Sequence, residues 1–305
     1  MSLLVHKSKQ GIIGEIAVLL SAVCFAMTSI LFKTAYTLDL SPVQILALQS
    51  WIASSLLLFY GLFFNRKIFF ISKRNSLLLV LQGLVGSLGT SILYAYALFF
   101  LPVSMATLLL YLYPVLVMGA GVVFLHKKVS LKEIIALLFT LAGTTLASGI
   151  FSGVNGIPLM GILLGIASAV AYTSFNLIGE VALQEVSPFT AMCYSQWFSS
   201  LGLMLYLRGN LFQIPWSSPE VWKIGIALAT IASIFPFYLI MFGIKKIGSD
   251  RAAILSTFEL PIAFILAALI LREIPSLVQW AGGGFVLAGI ILLNWRSTDE
   301  YEQTY

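Results

Sequence analysis

Residues 12–32 read IIGEIAVLLSAVCFAMTSILF, an apolar run broken by a single charge, Glu15. As a helix rising ~1.5 Å per residue it covers the roughly 30 Å hydrocarbon core of a bilayer. Lys7 and Lys9 precede it, yet the run is too long for a signal-peptide core and carries no convincing cleavage site, so it is expected to stay attached as the first membrane span. Similar runs follow near 43–64, 77–99, 103–124 and 131–150, then near 159–181, 188–207, 221–243, 252–271 and 277–295. Ten spans of about 20 residues would use roughly 200 positions and leave no room for a soluble domain. Composition agrees: 60% of the 305 residues are hydrophobic and 10% charged, against about 45–50% and 25% in soluble domains. Mean hydropathy is +1.00.

The spans are rich in Leu, Ala and Gly and lack the two-residue alternation of a membrane barrel, so they are expected to be helices whose backbones satisfy themselves. The net charge of +5 does not form a nucleic-acid patch, because the Lys and Arg residues are scattered over short loops. They are also sorted. Lys7, Lys9, Arg66, Lys67, Lys73, Arg74, Lys127, Lys128, Lys132, Lys245, Lys246, Arg251 and Arg296 fall on one side of a ten-span chain, and Lys33, Arg208, Lys223 and Arg272 on the other. Positive charge resists translocation, so both termini are expected in the cytoplasm. Cys24 and Cys193 both lie inside spans, which speaks against a disulfide framework or a Cys/His metal site.

The chain also repeats itself. A shift of 147 residues brings Ser21, Phe25, Thr28, Ser29 and Gln49 onto Ser168, Tyr172, Phe175, Asn176 and Gln196, and Ala106 and Pro114 onto Ala253 and Pro261. With a one-residue slip, Ser41-Pro42 meets Ser187-Pro188, Ser130-Leu131 meets Ser276-Leu277, and Gly143 meets Gly289. Two five-helix units, 12–150 and 159–295, account for this. Five is odd, so the copies must run in opposite senses through the membrane, as in carriers whose site lies at the midplane between inverted repeats. The bland explanation of these matches is the shared composition of any two Leu-rich helices.

At this point the chain resembles the drug/metabolite transporter superfamily, in its ten-helix EamA-type branch. The resemblance runs from about Gly14 to Trp295. It rests on the doubled unit, on residues 252–261 (AAILSTFELP), on Leu271-Arg272-Glu273, and on the Gly-rich last helix with Gly282, Gly283, Gly284 and Gly289. It implies a multi-pass inner-membrane exporter or facilitator of small metabolites, with a central cavity lined chiefly by helices 1, 3, 4, 6, 8 and 9. Where the second unit ends its fourth helix with Glu273, the first has His126-Lys127.

Glu259 is the leading candidate for binding solute. Lying about eight residues, or roughly 12 Å, into its span, it is the deepest acid, and an intramembrane carboxylate is costly unless it faces a cavity or a partner. Pro261 is expected to free the carbonyl of Thr257 beside it, a combination that suits an ammonium group or a proton. The structural alternative is a protonated Glu259 that merely holds helices together. Ser21, Phe25, Thr28 and Ser29 share one face of helix 1, and Ser168, Tyr172, Phe175 and Asn176 one face of helix 6. These stripes are expected to face each other as cavity lining, although Ser and Thr also serve ordinary packing. Ser87, Thr90, Ser91 and Tyr94 on helix 3, Tyr111 and Tyr113 on helix 4, and Phe237 and Tyr238 on helix 8 complete the set. Pro114, Pro236 and Pro261 are candidate hinges. Several tyrosines and phenylalanines around one acid would favour an aromatic or amphipathic amine.

Lys33 and Glu180, at matching repeat positions on opposite faces, are expected to snorkel to the interface. Gly83, Gly86 and Gly89 permit close helix packing, and the tryptophans Trp51, Trp197, Trp216, Trp222, Trp280 and Trp295, mostly near the ends of the expected spans, are expected to serve as interfacial anchors. Residues 296–305 read as a solvated tail. No nucleotide-binding loop or metal-ligand spacing occurs, so neither cofactor nor catalytic residue is assigned. The expected function is a secondary carrier of small organic metabolites, amino acids or aromatic amines among them. Its partners would be the solute, the bilayer and protons, and it would act as a monomer or homodimer. The competing expectation is a membrane-embedded enzyme or lipid carrier acting on a lipid head group.

Overall fold

The computed structural model describes residues 2–101, 103–147, 158–207, 214–272 and 276–294. Expectations placed on Arg208, Glu273, Trp295 and residues 296–305 lie outside these, as do those on the side chains of His6, Lys7, Lys9 and Ser29. In the first half the helices are α1 (Ser2–Tyr36), α2 (Pro42–Phe63), α3 (Lys73–Leu81), α4 (Gly89–Phe100), α5 (Val103–Leu110), α6 (Tyr113–Leu125) and α7 (Leu131–Ala147). In the second they are α8 (Leu159–Ala182), α9 (Pro188–Leu207), α10 (Pro219–Ala229), α11 (Phe235–Ser256), α12 (Glu259–Leu266) and α13 (Leu277–Asn294). No strand occurs among the described residues.

The matched serines are helix caps. Ser41 accepts from the Gln44 N–H while the Gln44 side chain takes the Ser41 N–H, and Pro42 opens the helix where no donor is needed. Ser130 with Glu133 and Ser276 with Gln279 form the same reciprocal box, and Ser187 caps through the Thr190 N–H. The repeat is visible in sequence at these points because each starts a helix.

Seven of the described helical stretches are long and apolar enough to cross a bilayer, and a shorter apolar one runs from Glu259 to Ile270. The expected span at 188–207 is helical but more polar, burying Ser195, Gln196, Ser199 and Ser200. The one at 131–150 is helical over the 17 residues of α7. Large apolar side chains such as Phe63, Phe99, Phe124 and Leu277 stand on the outside of the bundle, where acyl chains would cover them.

Packing pairs helices across the two halves: α1 lies along α11, α4 along α8, α7 along α13, and α2 against α9 and α10. Glycines set the closest approaches. A Cβ on Gly143 would stand 2.6 Å from the Gly282 carbonyl oxygen, and one on Gly86 would stand 2.8 Å from Phe175 Cα.

The helices break at matched places. Tyr111-Leu112 separates α5 from α6 just before Pro114, and Thr257-Phe258 separates α11 from α12 just before Pro261. Wide π-type turns at Gln82–Leu88 and Thr230–Ile234 also correspond under the 147-residue shift, the second directly ahead of Pro236. Gly248, with φ +81°, puts a non-helical residue inside α11. The break near Pro261 lies where a hinge was expected, but the expectation of a free Thr257 carbonyl fails. Glu259 starts α12, and the Thr257 carbonyl is not free, since the Leu260 N–H donates to it at 3.1 Å. The acceptor released by the break is Ala253, because the Thr257 N–H turns to Ile254.

Candidate functional site

Glu259 stands where the two broken helices meet. The Tyr111 hydroxyl is within hydrogen-bonding reach of its carboxyl group, and Tyr94, Tyr113 and Tyr172 lie within electrostatic range. Each ring is fixed by its surroundings. Tyr113 donates at 3.1 Å to the Ala253 carbonyl that the break releases. The Tyr94 hydroxyl meets Thr107 Oγ1 at 2.7 Å. Tyr172 packs edge-on to Tyr113, with centroids 4.6 Å apart. Under the repeat shift Glu259 corresponds to Leu112, so one half alone supplies an acid here.

From this cage an aromatic series runs through the bundle: Tyr172 stacks on Phe175 at 5.7 Å, Phe175 meets Phe237 at 5.6 Å, and Phe237 meets Phe25 at 5.5 Å. The candidate stripes of α1 and α8 thus meet through Phe237 of α11 and do not face each other directly. Ser21 donates to the Pro236 carbonyl at 2.9 Å. Asn176 donates to the Tyr172 carbonyl one turn back, at 2.8 Å. Thr28 Oγ1 is buried and has no partner among the described residues. Tyr238, about 100° around the helix from Phe237, turns to Phe189 and Phe242 instead.

A cavity of about 310 Å³ lies beside this series. Its walls come from α2, α4, α9, α11 and the two wide turns; of the spans expected to line a central cavity the third (77–99) and the eighth (221–243) reach it, joined by the second and the seventh. Ser87, Ser91 and Phe237 reach it, while Glu259 and the tyrosines of its cage do not line it. Sequence reasoning assigned no role to Gln49 and Gln196, which do line it. The signal was present, since both are carboxamides buried in apolar spans at matched repeat positions. Tyr96 and Tyr206 hydrogen-bond to each other through their hydroxyls at its rim.

One end of the bundle gathers ionic contacts. Lys127 Nζ donates to Glu180 Oε2 at 2.7 Å, to Asp250 Oδ2 at 2.5 Å and to Ser249 Oγ at 3.2 Å. The Ser249 N–H also donates to Glu180, which the non-helical Gly248 permits. Arg251 pairs with Glu15 at 3.1 Å and Arg74 with Glu185 at 3.0 Å. Glu180 therefore does not snorkel outward: its side chain, 18% exposed, is held inward by Lys127. The cluster ties α1, the loop after α6, α8 and α11 together. Among the described residues no group of His, Cys, Asp and Glu could hold a metal ion.

The model of the EamA-like transporter family matches this chain twice, over residues 12–149 and 159–295. The chain belongs to that family. This EamA-like transporter is 24% identical over 297 residues to the uncharacterized transporter YcbK of Bacillus subtilis, covering 95% of both chains. It is 29% identical over 194 residues to an uncharacterized transporter of Archaeoglobus fulgidus, covering 64% of this chain and 67% of that one. A chain from a solved crystal structure superposes with TM-score 0.72 over 93% of this chain and 96% of that one, at 20% identity, which shows the fold alone. Family and relatives make the protein a multi-pass membrane transporter.

Proposed function

We propose that this EamA-like transporter is a secondary carrier that moves small organic solutes bearing an amine, aromatic ones in particular, by alternating access. The observation that carries the reading is Glu259 caged by Tyr94, Tyr111, Tyr113 and Tyr172 at the paired helix breaks. A cation gains there from one carboxylate and from the ring faces together, inside a low-dielectric wall. Substrate-binding roles for Glu259, Tyr94, Tyr111, Tyr172, Phe175 and Phe25, with Ser21, Thr28 and Asn176 as framework, follow from this, and Pro114, Pro236 and Pro261 are the hinges.

The two halves act as inverted five-helix repeats of a ten-helix unit in the inner membrane, with both termini in the cytoplasm. The Lys127 cluster then closes the cytoplasmic end while the cavity between α2, α4, α9 and α11 lies toward the outer half. Rocking one half against the other breaks the cluster and exposes Glu259 to the cytoplasm. Liposomes holding purified protein and loaded with labelled amines, amino acids and bases test this by counterflow. Uptake of a cationic aromatic amine that Glu259→Gln abolishes supports the reading, and inertness toward every solute, or unchanged uptake in that variant, overturns it.

A further inference from the structure

The cavity beside the aromatic series has its own chemistry. Its lining holds no ionisable carboxylate, amine, guanidinium or imidazole. It holds instead a band of two carboxamides and several hydroxyls between aliphatic and aromatic walls. The bonds within this band are loose. Ser233 donates to Gln196 Oε1 at 3.2 Å, Gln196 Nε2 donates to Ser50 at 3.4 Å, and Ser87 meets Ser199 at 3.3 Å. All three sit at the long end of hydrogen-bond distances. Gln49 donates to the Ala232 carbonyl, and its Oε1 has no partner among the described residues. A carboxamide offers two donors and two acceptor lone pairs, so Gln49 and Gln196 retain capacity in both senses.

A charged group brought here would shed its water without meeting a counter-charge, which is strongly unfavourable. A neutral group that both donates and accepts would lose little, and the volume accommodates an apolar body beside it. We propose that the cavity between α2, α4, α9 and α11 binds an uncharged solute with an aromatic body and an amide or hydroxyl head, held by Gln49, Gln196, Ser199 and Ser233. The inference deepens the carrier reading by adding a second station on the same route, joined to the Glu259 cage through Phe237, Phe175 and Tyr172. Binding at this station requires neither transport nor Glu259.

Equilibrium dialysis with the full chain in nanodiscs, against empty nanodiscs, tests it with three probes sharing one body. These are N-acetyl-phenylalaninamide, which is neutral, phenylalaninamide, a cation, and N-acetyl-phenylalanine, an anion. The neutral probe is expected to bind at least tenfold more tightly to Gln196 and its neighbours than the anion does. Its affinity is retained in Glu259→Gln, weakened about tenfold in Gln196→Leu and abolished in Ser91→Phe, which fills the cavity. Gln196→Glu shifts the preference of the cavity toward the cation, an effect that a purely structural role would not produce. Should Gln196→Leu fail to fold, Ser91→Phe decides alone. Absence of neutral-probe binding, or binding that survives Ser91→Phe, overturns the proposal. Absence of counterflow by the unsubstituted protein, with neutral-probe binding intact, would overturn the Glu259 reading alone.

Discussion

Gln49 donates its side-chain amide to the carbonyl of Ala232 at 3.1 Å, the acceptor that Pro236, having no N–H, leaves without its helical donor. A side chain of the first half thus completes a backbone break in the second. The wide turn at Thr230–Ile234 persists inside an apolar bundle because its exposed acceptor is supplied from α2.

Removing that donor should be costly. Gln49→Leu is expected to lower stability by about 1–3 kcal/mol through the orphaned carbonyl. Pro236→Ala, which restores an N–H, should make the double variant less destabilised than the sum of the two changes. Thermal unfolding of the four proteins in micelles measures the coupling, and strict additivity would refute this role for Gln49.

Lys127 neutralises two carboxylates that are only 18% and 14% exposed. Lys127→Met leaves both charges without their cation, and a loss of about 1–3 kcal/mol is expected, less than for a fully buried pair because water still reaches the site. The same variant should bias the transporter away from the state closed at this end. A cysteine at Ser249, read by labelling rate with a membrane-impermeant maleimide, should react faster in the Lys127→Met background than with Lys127 present.

Glu259→Gln should reduce counterflow of a cationic solute by about tenfold or more, since a charge-assisted contact is worth ~1.5–3 kcal/mol. On the carrier reading proposed above, with Glu259 as the acid that takes up a proton on the route, transport that persists should no longer vary with pH. Tyr111→Phe keeps the charge and removes one hydroxyl, so a milder loss, about fivefold, is expected from initial rates at subsaturating solute.

Two glycines make a contrast. A Cβ on Gly86 would meet the backbone of Phe175 at 2.8 Å, whereas nothing lies within 4 Å of one on Gly119. Gly86→Ala should therefore separate α8 from the turn before α4 and cost about 1–3 kcal/mol, while Gly119→Ala should unfold at the temperature of the unsubstituted protein or slightly above it. Melting curves of the two single variants suffice.

Much of the architecture was legible because it is written in local chemistry. Ser41, Ser130, Ser187 and Ser276 cap helices by bonds that span three residues, so their spacing alone located helix starts and exposed the doubling. Pro114 and Pro261 marked the broken helices for the same reason. What could not be read depends on partners far away in sequence. Whether Thr257 or Ala253 bears the free carbonyl is settled by how the chain turns before Pro261 and by Tyr113 arriving from the other half. Glu180 looked like an interfacial side chain because its cation, Lys127, sits 53 positions away. Tyr94, Tyr111 and Tyr172 gather around Glu259, whereas Tyr238 turns to Phe189 and Phe242, because adjacent positions on a helix point in different directions and Phe237 takes the inward one. Gln49 and Gln196 were noticed as matching letters, but their role depends on the space between four helices.

The pairing of Glu259 with Leu112 has a consequence for evolution as much as for mechanism. Duplication hands both halves of such a machine the same skeleton, and with it a ready-made motion between two poses of comparable energy. Selectivity must then arise by letting one half diverge. On the carrier reading proposed above, a single carboxylate answered by a leucine makes the two poses chemically unequal toward a cation, so the affinities of the two openings can drift apart by point substitution without redesigning the scaffold.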